Sequence, residues 1–275
     1  MPVAPTIREA LAAAQQAAGR SEARMLLRQV LGCEEAWLIA HGEAVLTTAQ
    51  AEHYRQLCAR RARGEPIAYI TGSREFYGRE FAVAPYVLIP RHETELLVEL
   101  ALQRLPQGAH VLDLGAGSGC VGVTLAAERP DLSVKLIDDS VDALEVARIN
   151  ARRWAPANTA LLLSDWYGAL GDTRYDCIVS NPPYVAADDA HLAQGDLRFE
   201  PQSALTAGVD GLDAVRRIIK GAPARLQPGG WLLLEHGFDQ AAACGQLLAA
   251  VGLREIFSAP DLAGVPRVSG GRRAT

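Results

Sequence analysis

Residues 111–119 read Val-Leu-Asp-Leu-Gly-Ala-Gly-Ser-Gly, an apolar run followed by glycines at alternate positions. The apolar run over 111–114 predicts a short buried strand. The glycines allow a sharp turn and let a ligand approach the backbone closely, because no Cβ atom stands in the way. The helix predicted over 119–128 would begin with unpaired N–H groups. The segment therefore predicts a strand, a ligand-binding loop and a helix in succession.

The same alternation of short apolar strands and helices continues to residue 250. Further strands are predicted over 134–137, 160–163, 177–179 and 231–235, and further helices over 141–153, 211–220 and 240–250. Such alternation is typical of a parallel sheet with helices on both faces. Because the ligands of such sheets bind at the carboxyl ends of the strands, we expect the functional residues directly after strands.

The composition argues against several classes of protein. The chain of 275 residues is 49% hydrophobic and 21% charged, and its net charge of −5 is unlike that of a protein that mainly grips nucleic-acid phosphates. The cysteines form no CxxC pair and no histidine has a second ligand at metal spacing, so we expect reduced thiols and no metal.

No signal peptide and no apolar run near the roughly 18 residues of a membrane span are present, so a cytoplasmic protein is expected. Without a sustained heptad pattern, a monomer is expected.

Residues 6–63 predict a small helical bundle, because apolar residues recur at helical intervals and Thr47 and Thr48 precede a longer helix. Residues 75–83 then predict a hairpin with a glycine near its turn. The longer helix and the residue after it carry exposed arginines that form either a solvated helix face or a docking surface for an acidic partner. These arginines are Arg55, Arg60, Arg61 and Arg63.

Residues beyond the glycine loop point to an adenosine-containing ligand. Asp138 follows the second strand and lies 19 residues after Gly119, where a carboxylate can accept both hydroxyl groups of a ribose. The alternative is capping of the next helix, for which Ser140 is the better residue. Trp166 follows the third strand and either covers an adenine face or packs in the core. The loop lacks the nicotinamide-type GxGxxG pattern and the chain lacks an ATP-type P-loop, so S-adenosylmethionine is favoured.

Residues 181–184, Asn-Pro-Pro-Tyr, follow the fourth strand. The prolines remove two N–H donors and fix the backbone, which leaves the Asn181 side-chain oxygen and the Pro182 carbonyl as acceptors. Two acceptors can hold both hydrogens of an amino group and direct its nitrogen lone pair toward an electrophile. Tyr184 offers a flat face to the planar group that bears this nitrogen. An Asn-Pro turn with core prolines is the alternative, but beside a cofactor loop the pattern favours N-methylation of a planar amine or amide.

The chain resembles the release-factor glutamine methyltransferase (HemK-like) family over nearly its whole length. Besides the glycine loop and residues 181–184, the resemblance rests on several short segments, which are 64–70 with Gly72, 75–78, 87–95, 200–201, 204–205, Gly208, 210–212, 234–237 and 261–264 with Arg267. It implies a Rossmann-like, seven-stranded class I S-adenosylmethionine-dependent methyltransferase domain with a small N-terminal helical bundle. The implied boundaries are a helical substrate-docking domain over 1–74, a hairpin linker over 75–92 and the methyltransferase domain over 93–275.

The resemblance also implies a substrate and its contacts. The substrate would be the glutamine of the Gly-Gly-Gln motif in class 1 bacterial-type peptide chain release factors, methylated at the side-chain amide nitrogen N5. This glutamine would be held by Asn181, Pro182, Pro183 and Tyr184, with Asn181, Pro182 and Tyr184 as the catalytic residues. S-adenosylmethionine would contact Gly115, Ala116, Gly117, Ser118, Gly119, Asp138, Trp166 and Asn181.

Several polar residues near these motifs have open roles. His92 stands where the family usually has a proline, and it is either an exposed residue of a helix's first turn or a residue near the substrate. His236, after the fifth strand, is either catalytic or hydrogen-bonded within a turn. Shaping of the pocket and surface ion pairing both remain open for Arg91, Glu93 and Glu200.

Two other functions fit parts of the sequence. The tetrapeptide also occurs in enzymes that methylate amino groups of DNA and RNA, where Tyr184 would stack on a flipped base. The acidic net charge and the lack of a long basic segment disfavour a nucleic-acid partner. The second alternative is a non-catalytic adaptor that binds S-adenosylmethionine, which the intact tetrapeptide disfavours.

Overall fold

The computed structural model describes residues 4–275, except for the side chain of Ala17, and divides the chain into two compact units. The first unit ends at Gly72 and also contains Ala193–Phe199. The second unit comprises Ser73–Leu192 and Glu200–Thr275. Among the described residues, no helix is both long and apolar enough to cross a membrane.

Helices make up the first unit, as the sequence predicts. Within its described residues they are α1 (Ile7–Ala18), α2 (Arg20–Leu31), α3 (Glu35–Ala40), α4 (Thr48–Ala62) and α5 (Ile67–Thr71). Thr6 and Thr47 cap α1 and α4, each in a capping box that satisfies backbone N–H groups of the first turn. Leu26, Leu27 and Leu38 are buried in the core of the bundle.

The arginine cluster of α4 is partly used inside the first unit. Arg60 pairs with Glu65 through its Nε and Nη2 atoms, and the Nε atom donates to Oε2 at 2.9 Å. Arg61 Nε donates to Glu22 Oε2 at 2.5 Å, which ties α4 to α2. Both arginines are therefore half-buried structural residues, which corrects their interpretation as exposed. Arg55 and Arg63 are exposed, and for these two arginines the choice between a solvated face and a docking surface stays open.

The second unit begins with the predicted hairpin and continues with alternating strands and helices. The hairpin strands are β1 (Ser73–Phe76) and β2 (Arg79–Ala82), so Ser73 and Arg74 belong to a strand of this unit. The elements that follow are α6 (Glu95–Leu102), β3 (His110–Leu114), α7 (Cys120–Glu128), β4 (Ser133–Asp138), α8 (Val141–Trp154), β5 (Thr159–Leu163), β6 (Tyr175–Ser180), α9 (Asp213–Arg225), β7 (Leu226–Glu235), α10 (Ala241–Ala250), β8 (Arg254–Pro260) and β9 (Pro266–Arg272).

The seven-stranded sheet has the order β5-β4-β3-β6-β7-β9-β8. Strands β3 to β7 are parallel to one another, which confirms the prediction from the alternation. Strand β9 is antiparallel to both of its neighbours, a feature of this edge that the strand–helix alternation does not specify. The physical reason is the short turn over 261–265, because a parallel connection needs a crossover of a dozen or more residues.

Helices cover both faces of the sheet. Side chains of α6, α7 and α8 pack on one face together with the hairpin residues Phe76 and Phe81, whose rings meet edge to face at 6.0 Å. Side chains of α9 and α10 pack on the other face. The strand order reverses its direction of growth between β3 and β6, and a crevice at the carboxyl ends of the strands is expected at such a point.

Asn150 of α8 anchors the glycine loop through a hydrogen bond to its backbone. Its Oδ1 atom accepts a hydrogen bond from the Ala82 N–H at 2.7 Å, and its Nδ2 atom donates to the carbonyl oxygens of Ala82 at 3.0 Å and Ser118 at 2.8 Å. The side chain is fully buried. The Asn150 side chain therefore connects the hairpin, α8 and the glycine loop. Its three hydrogen bonds take the place of the hydrogen bonds that these groups would make to water in the unfolded chain.

We expect Asn150→Ala to lower the free energy of unfolding by about 3 kcal/mol or more, since each of three backbone groups left without a partner costs roughly 1–3 kcal/mol. Urea denaturation followed by circular dichroism measures the change. The matched control is Ile149→Ala on the adjacent, 56% exposed position, for which a change within about 0.5 kcal/mol is expected. Equal, small losses in both variants would contradict the anchoring role.

Candidate active site

A cleft of about 320 Å³ lies at the carboxyl ends of the parallel strands. The glycine loop after β3, Asp138 after β4, Trp166 after β5 and Asn181 after β6 all line it. Two further wall segments, 85–91 and 201–204, contribute residues that the sequence analysis did not assign to the cofactor. The structure thus brings together the predicted cofactor residues Gly115, Ala116, Gly117, Ser118, Asp138, Trp166 and Asn181.

The glycine loop turns directly after β3. The N–H groups of Gly115 and Ala116 donate to the Ile137 carbonyl oxygen at 2.9 and 2.8 Å, which joins the loop to the end of β4. Gly119 is buried and does not line the cleft. Its φ angle is +78°, and an added Cβ atom would lie 3.0 Å from the Leu136 side chain. Gly119 therefore lets α7 pack closely on β4, a structural contribution beside its predicted cofactor contact.

Asp138 is held at the end of β4 by two backbone N–H groups. Its Oδ2 atom accepts from Gly117 at 2.8 Å, and its Oδ1 atom accepts from Ser140 at 2.9 Å. Ser140, as the sequence predicts, is the residue that caps α8, through a bond from the Ala143 N–H to its Oγ atom. A carboxylate oxygen can accept more than one hydrogen bond, so each oxygen of Asp138 retains capacity for a ribose hydroxyl. Burial raises the pKa of Asp138.

Trp166 lies at the cleft wall and also packs against the core, a position compatible with both interpretations that the sequence leaves open. Its indole lines the cleft over Gly115, where an added Cβ atom would lie 3.6 Å from the ring. The same ring packs partly against the core on the α9 side of the sheet. Its φ angle of +48° is unusual for a residue with a bulky side chain, and such backbone geometry is found where the surrounding structure enforces it. The backbone thus holds the ring at the cleft wall.

Asn181 presents an unused acceptor at the cleft. Its Nδ2 atom donates to Thr94 Oγ1 at 3.1 Å. Its Oδ1 atom is buried and has no hydrogen-bond partner among the described residues. A buried acceptor without a partner is costly, so its retention points to a donor that a ligand would supply.

The other three residues of the tetrapeptide are placed differently. Pro183 lines the cleft, whereas Pro182 is buried and, like Tyr184, is not on the cleft wall. The Tyr184 hydroxyl donates to Glu235 Oε1 at 3.2 Å, and the Tyr184 carbonyl oxygen accepts from Gln240 Nε2 at 3.0 Å. Burial raises the pKa of Tyr184. The tyrosine is therefore fixed at its hydroxyl by the last residue of β7 and at its carbonyl oxygen by Gln240, which follows β7.

Sequence reasoning missed two polar residues of this region, Thr94 and Glu235. Thr94 precedes α6, lines the cleft and is buried. Glu235 ends β7 and is buried, and this burial raises its pKa to about 7, against hydrogen bonds from the Thr94 and Tyr184 hydroxyls and the charge of Arg267, which lower it. The position of Glu235 directly after the apolar run 232–234 could have indicated a buried polar residue at a strand end. Nothing in the sequence distinguished Thr94 in this way.

The structure assigns a pocket-shaping contact to Arg91 and Glu200. Glu200 is buried, pairs with the Arg91 guanidinium and accepts from the Ile89 N–H at 3.0 Å through its second carboxylate oxygen. This one carboxylate joins the two wall segments 85–91 and 201–204. Glu93 is exposed at the surface.

His236 is engaged on both ring nitrogens. Its Nδ1 atom lies 2.8 Å from the Gly237 carbonyl oxygen, which can only accept, so Nδ1 carries the proton. Its Nε2 atom then accepts from the Ser269 hydroxyl at 2.8 Å. Burial lowers the pKa of His236, so the ring is neutral and fixed in a turn, as the structural alternative predicts.

His92 is exposed in a short 3₁₀ turn before α6, close to two glutamates. Ligand atoms of Glu75, His92 and Glu95 lie within 4.8 Å of one another, so this histidine does have neighbours at ligand distance, which the sequence spacing did not indicate. Glu75 Oε1 accepts from the Gly78 N–H at 2.6 Å and Glu95 Oε1 from the Tyr77 N–H at 3.0 Å. These bonds give both carboxylates a structural role at the hairpin turn.

Asp113 at the end of β3 is buried beside the glycine loop. Its Oδ2 atom accepts from the Gly122 N–H of α7 at 2.8 Å. Burial raises the pKa of Asp113 to about 7. Because an unfolded Asp has a pKa of about 3.9, the folded protein binds a proton here that the unfolded chain has released above that pH. Its contribution to stability is therefore full at low pH and is lost as the pH rises toward 7.

We expect Asp113→Asn to reduce the loss of unfolding free energy between pH 5 and pH 7 by about 2 kcal/mol, since the amide cannot ionise. Urea titrations at pH 5, 6 and 7 measure the slope. Asp139→Asn removes an exposed carboxylate nearby and should leave the slope as in the wild type. An unchanged slope in Asp113→Asn would show that Asp113 is already ionised in the folded protein at pH 5.

Known proteins are similar to this chain over most of its length. Two domain models match it, the PrmC N-terminal domain over residues 6–72 and the Methyltransferase small domain over residues 92–199. The release factor glutamine methyltransferase of Bordetella pertussis is 54% identical over 255 residues, which cover 92% of this chain and 94% of that protein. The protein of the same name from Escherichia coli K12 is 42% identical over 268 residues, 97% of each chain.

Among solved structures, a methyltransferase from Pyrococcus furiosus is similar with a TM-score of 0.56. The match covers 80% of this chain and 98% of that chain at 18% sequence identity. At this identity the likeness supports the fold alone, a seven-stranded methyltransferase sheet with flanking helices.

Proposed function

The chain belongs to the release factor glutamine methyltransferase family, and from this premise we propose the reaction that its cleft performs. The reaction is transfer of a methyl group from S-adenosylmethionine to the side-chain amide nitrogen N5 of the glutamine in the Gly-Gly-Gln motif of class 1 peptide chain release factors. The observation that carries the proposal is the buried, unpartnered Oδ1 atom of Asn181 at the cleft. A primary amide of the substrate would donate the hydrogen that this oxygen lacks.

The residues of the cleft fit S-adenosylmethionine. Asp138 retains acceptor capacity for ribose hydroxyls, and Trp166 offers an aromatic face at the wall. The backbone of Gly115 and Gly117 can be approached closely because both glycines have positive φ angles and no Cβ atom. When bound, S-adenosylmethionine supplies an electrophilic methyl group on a sulfonium.

The chain's own residues would contribute positioning rather than acid–base chemistry. A primary amide is a poor nucleophile, because its nitrogen lone pair is delocalised into the carbonyl group. Acceptance of one amide hydrogen by Asn181 Oδ1 would direct that lone pair and stabilise positive charge growing on nitrogen. The Pro182 carbonyl is proposed as the second acceptor, although the Pro182 residue itself does not line the cleft. Good alignment of this kind is worth about 7–11 kcal/mol of the barrier.

No strong base is needed in this scheme. The amide nitrogen would accept the methyl group from the sulfonium, whose sulfur would keep the electrons of the broken bond, and the nitrogen would then release one proton to water. His236 is buried and has both ring nitrogens engaged, in accordance with a mechanism without a histidine base. Because release factors act in translation, we also propose a cytoplasmic site of action, with the monomer as the working state.

The test is methyl transfer from labelled S-adenosylmethionine to a purified class 1 release factor, with mass spectrometry to locate the product. A single methyl group on the Gly-Gly-Gln amide, absent when that Gln is replaced by Ala, is expected. Parallel reactions with duplex DNA and with RNA test the nucleic-acid alternative. Transfer of the labelled methyl group to the nucleic acid would support that alternative. Cofactor binding without any transfer would favour the adaptor instead.

We expect Asn181→Ala to reduce kcat by about 100-fold or more, as found when a preorganised hydrogen-bonding group is removed from the reacting centre. Single-turnover transfer to the release factor measures the rate, and thermal unfolding confirms that the variant folds. A matched control is Asn158→Ala, which removes an amide that donates to the Ala126 carbonyl oxygen and does not line the cleft, and which should retain activity. Turnover near the wild-type rate in Asn181→Ala would exclude the proposed contact.

A further inference from the structure

A histidine and two glutamates from separate elements come together at the hairpin turn. Glu75 belongs to β1, His92 lies in the short 3₁₀ turn before α6, and Glu95 begins α6. One ligand atom of each residue lies within 4.8 Å of the ligand atoms of the other two. None of the three lines the cleft, so the transfer of a methyl group does not account for this arrangement.

The donor atoms of this cluster are of the kinds that zinc binds together. His92 Nδ1 lies 3.3 Å from Glu95 Oε1, and two ligand atoms on one tetrahedral zinc ion lie roughly 3.3–3.5 Å apart. Zinc accepts imidazole and carboxylate ligands in one site, whereas Mg²⁺ and Ca²⁺ are bound by oxygen atoms. Three protein ligands leave the fourth position of the ion to a water molecule.

The charges of the cluster are not balanced by basic side chains. Among the described residues, neither Glu75 nor Glu95 pairs with a lysine or an arginine, and the one ion pair of Glu95 is with His92. Glu80 of the same hairpin, by contrast, pairs with Arg153 at 3.1 Å. Two carboxylates at this separation repel each other when both are ionised, unless a cation lies between them. The cluster therefore has the charge as well as the ligands for a metal ion.

Backbone N–H groups orient both carboxylates. Glu75 Oε1 accepts from the Gly78 N–H at 2.6 Å, and Glu95 Oε1 accepts from the Tyr77 N–H at 3.0 Å. Each carboxylate has a second oxygen, and an oxygen that accepts one hydrogen bond keeps a further lone pair. Hydrogen bonds of this kind, made by groups behind the ligands, hold the ligands of a metal site in place.

We propose that Glu75, His92 and Glu95 bind one zinc ion, which joins the hairpin to the beginning of α6. The site goes beyond the proposed function and does not depend on it. Arg91 and Thr94, which flank this turn, line the cleft, so the ion stiffens one wall of the cleft from outside. Because His92 stands where the family usually has a proline, the site distinguishes this chain from most of its relatives.

Titration calorimetry of the reduced, chelator-treated full-length chain with Zn²⁺ tests the site. His92→Ala and Glu75→Gln should each weaken zinc binding by at least about 10-fold, since loss of a group behind a ligand already costs 10–100-fold. Glu75→Gln retains an oxygen that can accept from the Gly78 N–H. The matched control is His191→Ala, which removes an exposed imidazole that lies 2.7 Å from Asp189 Oδ1 and should leave the affinity for zinc unchanged.

Nuclear magnetic resonance of the ¹⁵N-labelled full-length chain locates the bound ion without any measurement of methyl transfer. The amide signals of Tyr77 and Gly78, whose N–H groups donate to the two carboxylates, should shift when Zn²⁺ is added. These shifts should persist in His191→Ala and disappear in His92→Ala. His92→Pro provides a second variant that retains the fold, because proline is well tolerated at the first position of a helix, and it should also abolish the shifts.

Four outcomes would overturn the proposal. They are no binding of Zn²⁺ by the wild-type chain, an unchanged affinity for zinc in both His92→Ala and Glu75→Gln, zinc-induced shifts confined to other amides, and tighter binding of Mg²⁺ or Ca²⁺ than of Zn²⁺. Circular dichroism confirms that each variant is folded before its affinity is compared. A chain that binds zinc here but methylates no release factor would refute the proposed function and leave the zinc site standing.

Discussion

The parallel pairing of β3 with β6 is the constraint on which the whole site depends. Parallel strands end at the same edge, so the glycine loop and residues 181–184 meet there although they lie far apart in the sequence. Ser180 secures this junction, because its buried Oγ atom donates to the Leu114 carbonyl oxygen at 2.6 Å. The glycine loop proposed to bind the cofactor and the Asn181 oxygen proposed to hold the substrate amide are therefore parts of one sheet edge.

Several buried polar side chains fix the backbone at or near that edge. Asn150 holds the glycine loop from α8, Asp113 holds the start of α7, and Glu200 joins the two wall segments. Burial raises the pKa of Asp113 and of Glu235 to about 7, so ionisation of these carboxyls opposes folding. The positioning of the site is thus obtained at a cost in stability.

The parts of the site that were predictable are those encoded within a few consecutive residues. Alternating glycines, a carboxylate after β4 and the Asn-Pro-Pro-Tyr run all carry their chemistry locally, and the strand–helix alternation predicts that they share an edge. Thr94 was not predictable, because its role arises from a contact 87 residues away in the sequence. The β8–β9 pair was missed since strand β8 is only partly buried and shows no clean alternation. The burial of Arg61 was missed for the same reason, because its partner Glu22 lies 39 residues away in the sequence.

In the proposed reaction, the need for an acceptor rather than a base accounts for a neutral amide at the position of Asn181. A carboxylate beside the sulfonium would hold the amide hydrogens but would also attract the cofactor's charge, whereas a neutral amide oxygen accepts hydrogens without that competing attraction. A neutral amide, however, can turn either way, since its two ends are nearly equal in shape. In this structure the Asn181 Nδ2 atom donates to Thr94 Oγ1, and its Oδ1 atom, buried without a partner among the described residues, is the acceptor left for a ligand.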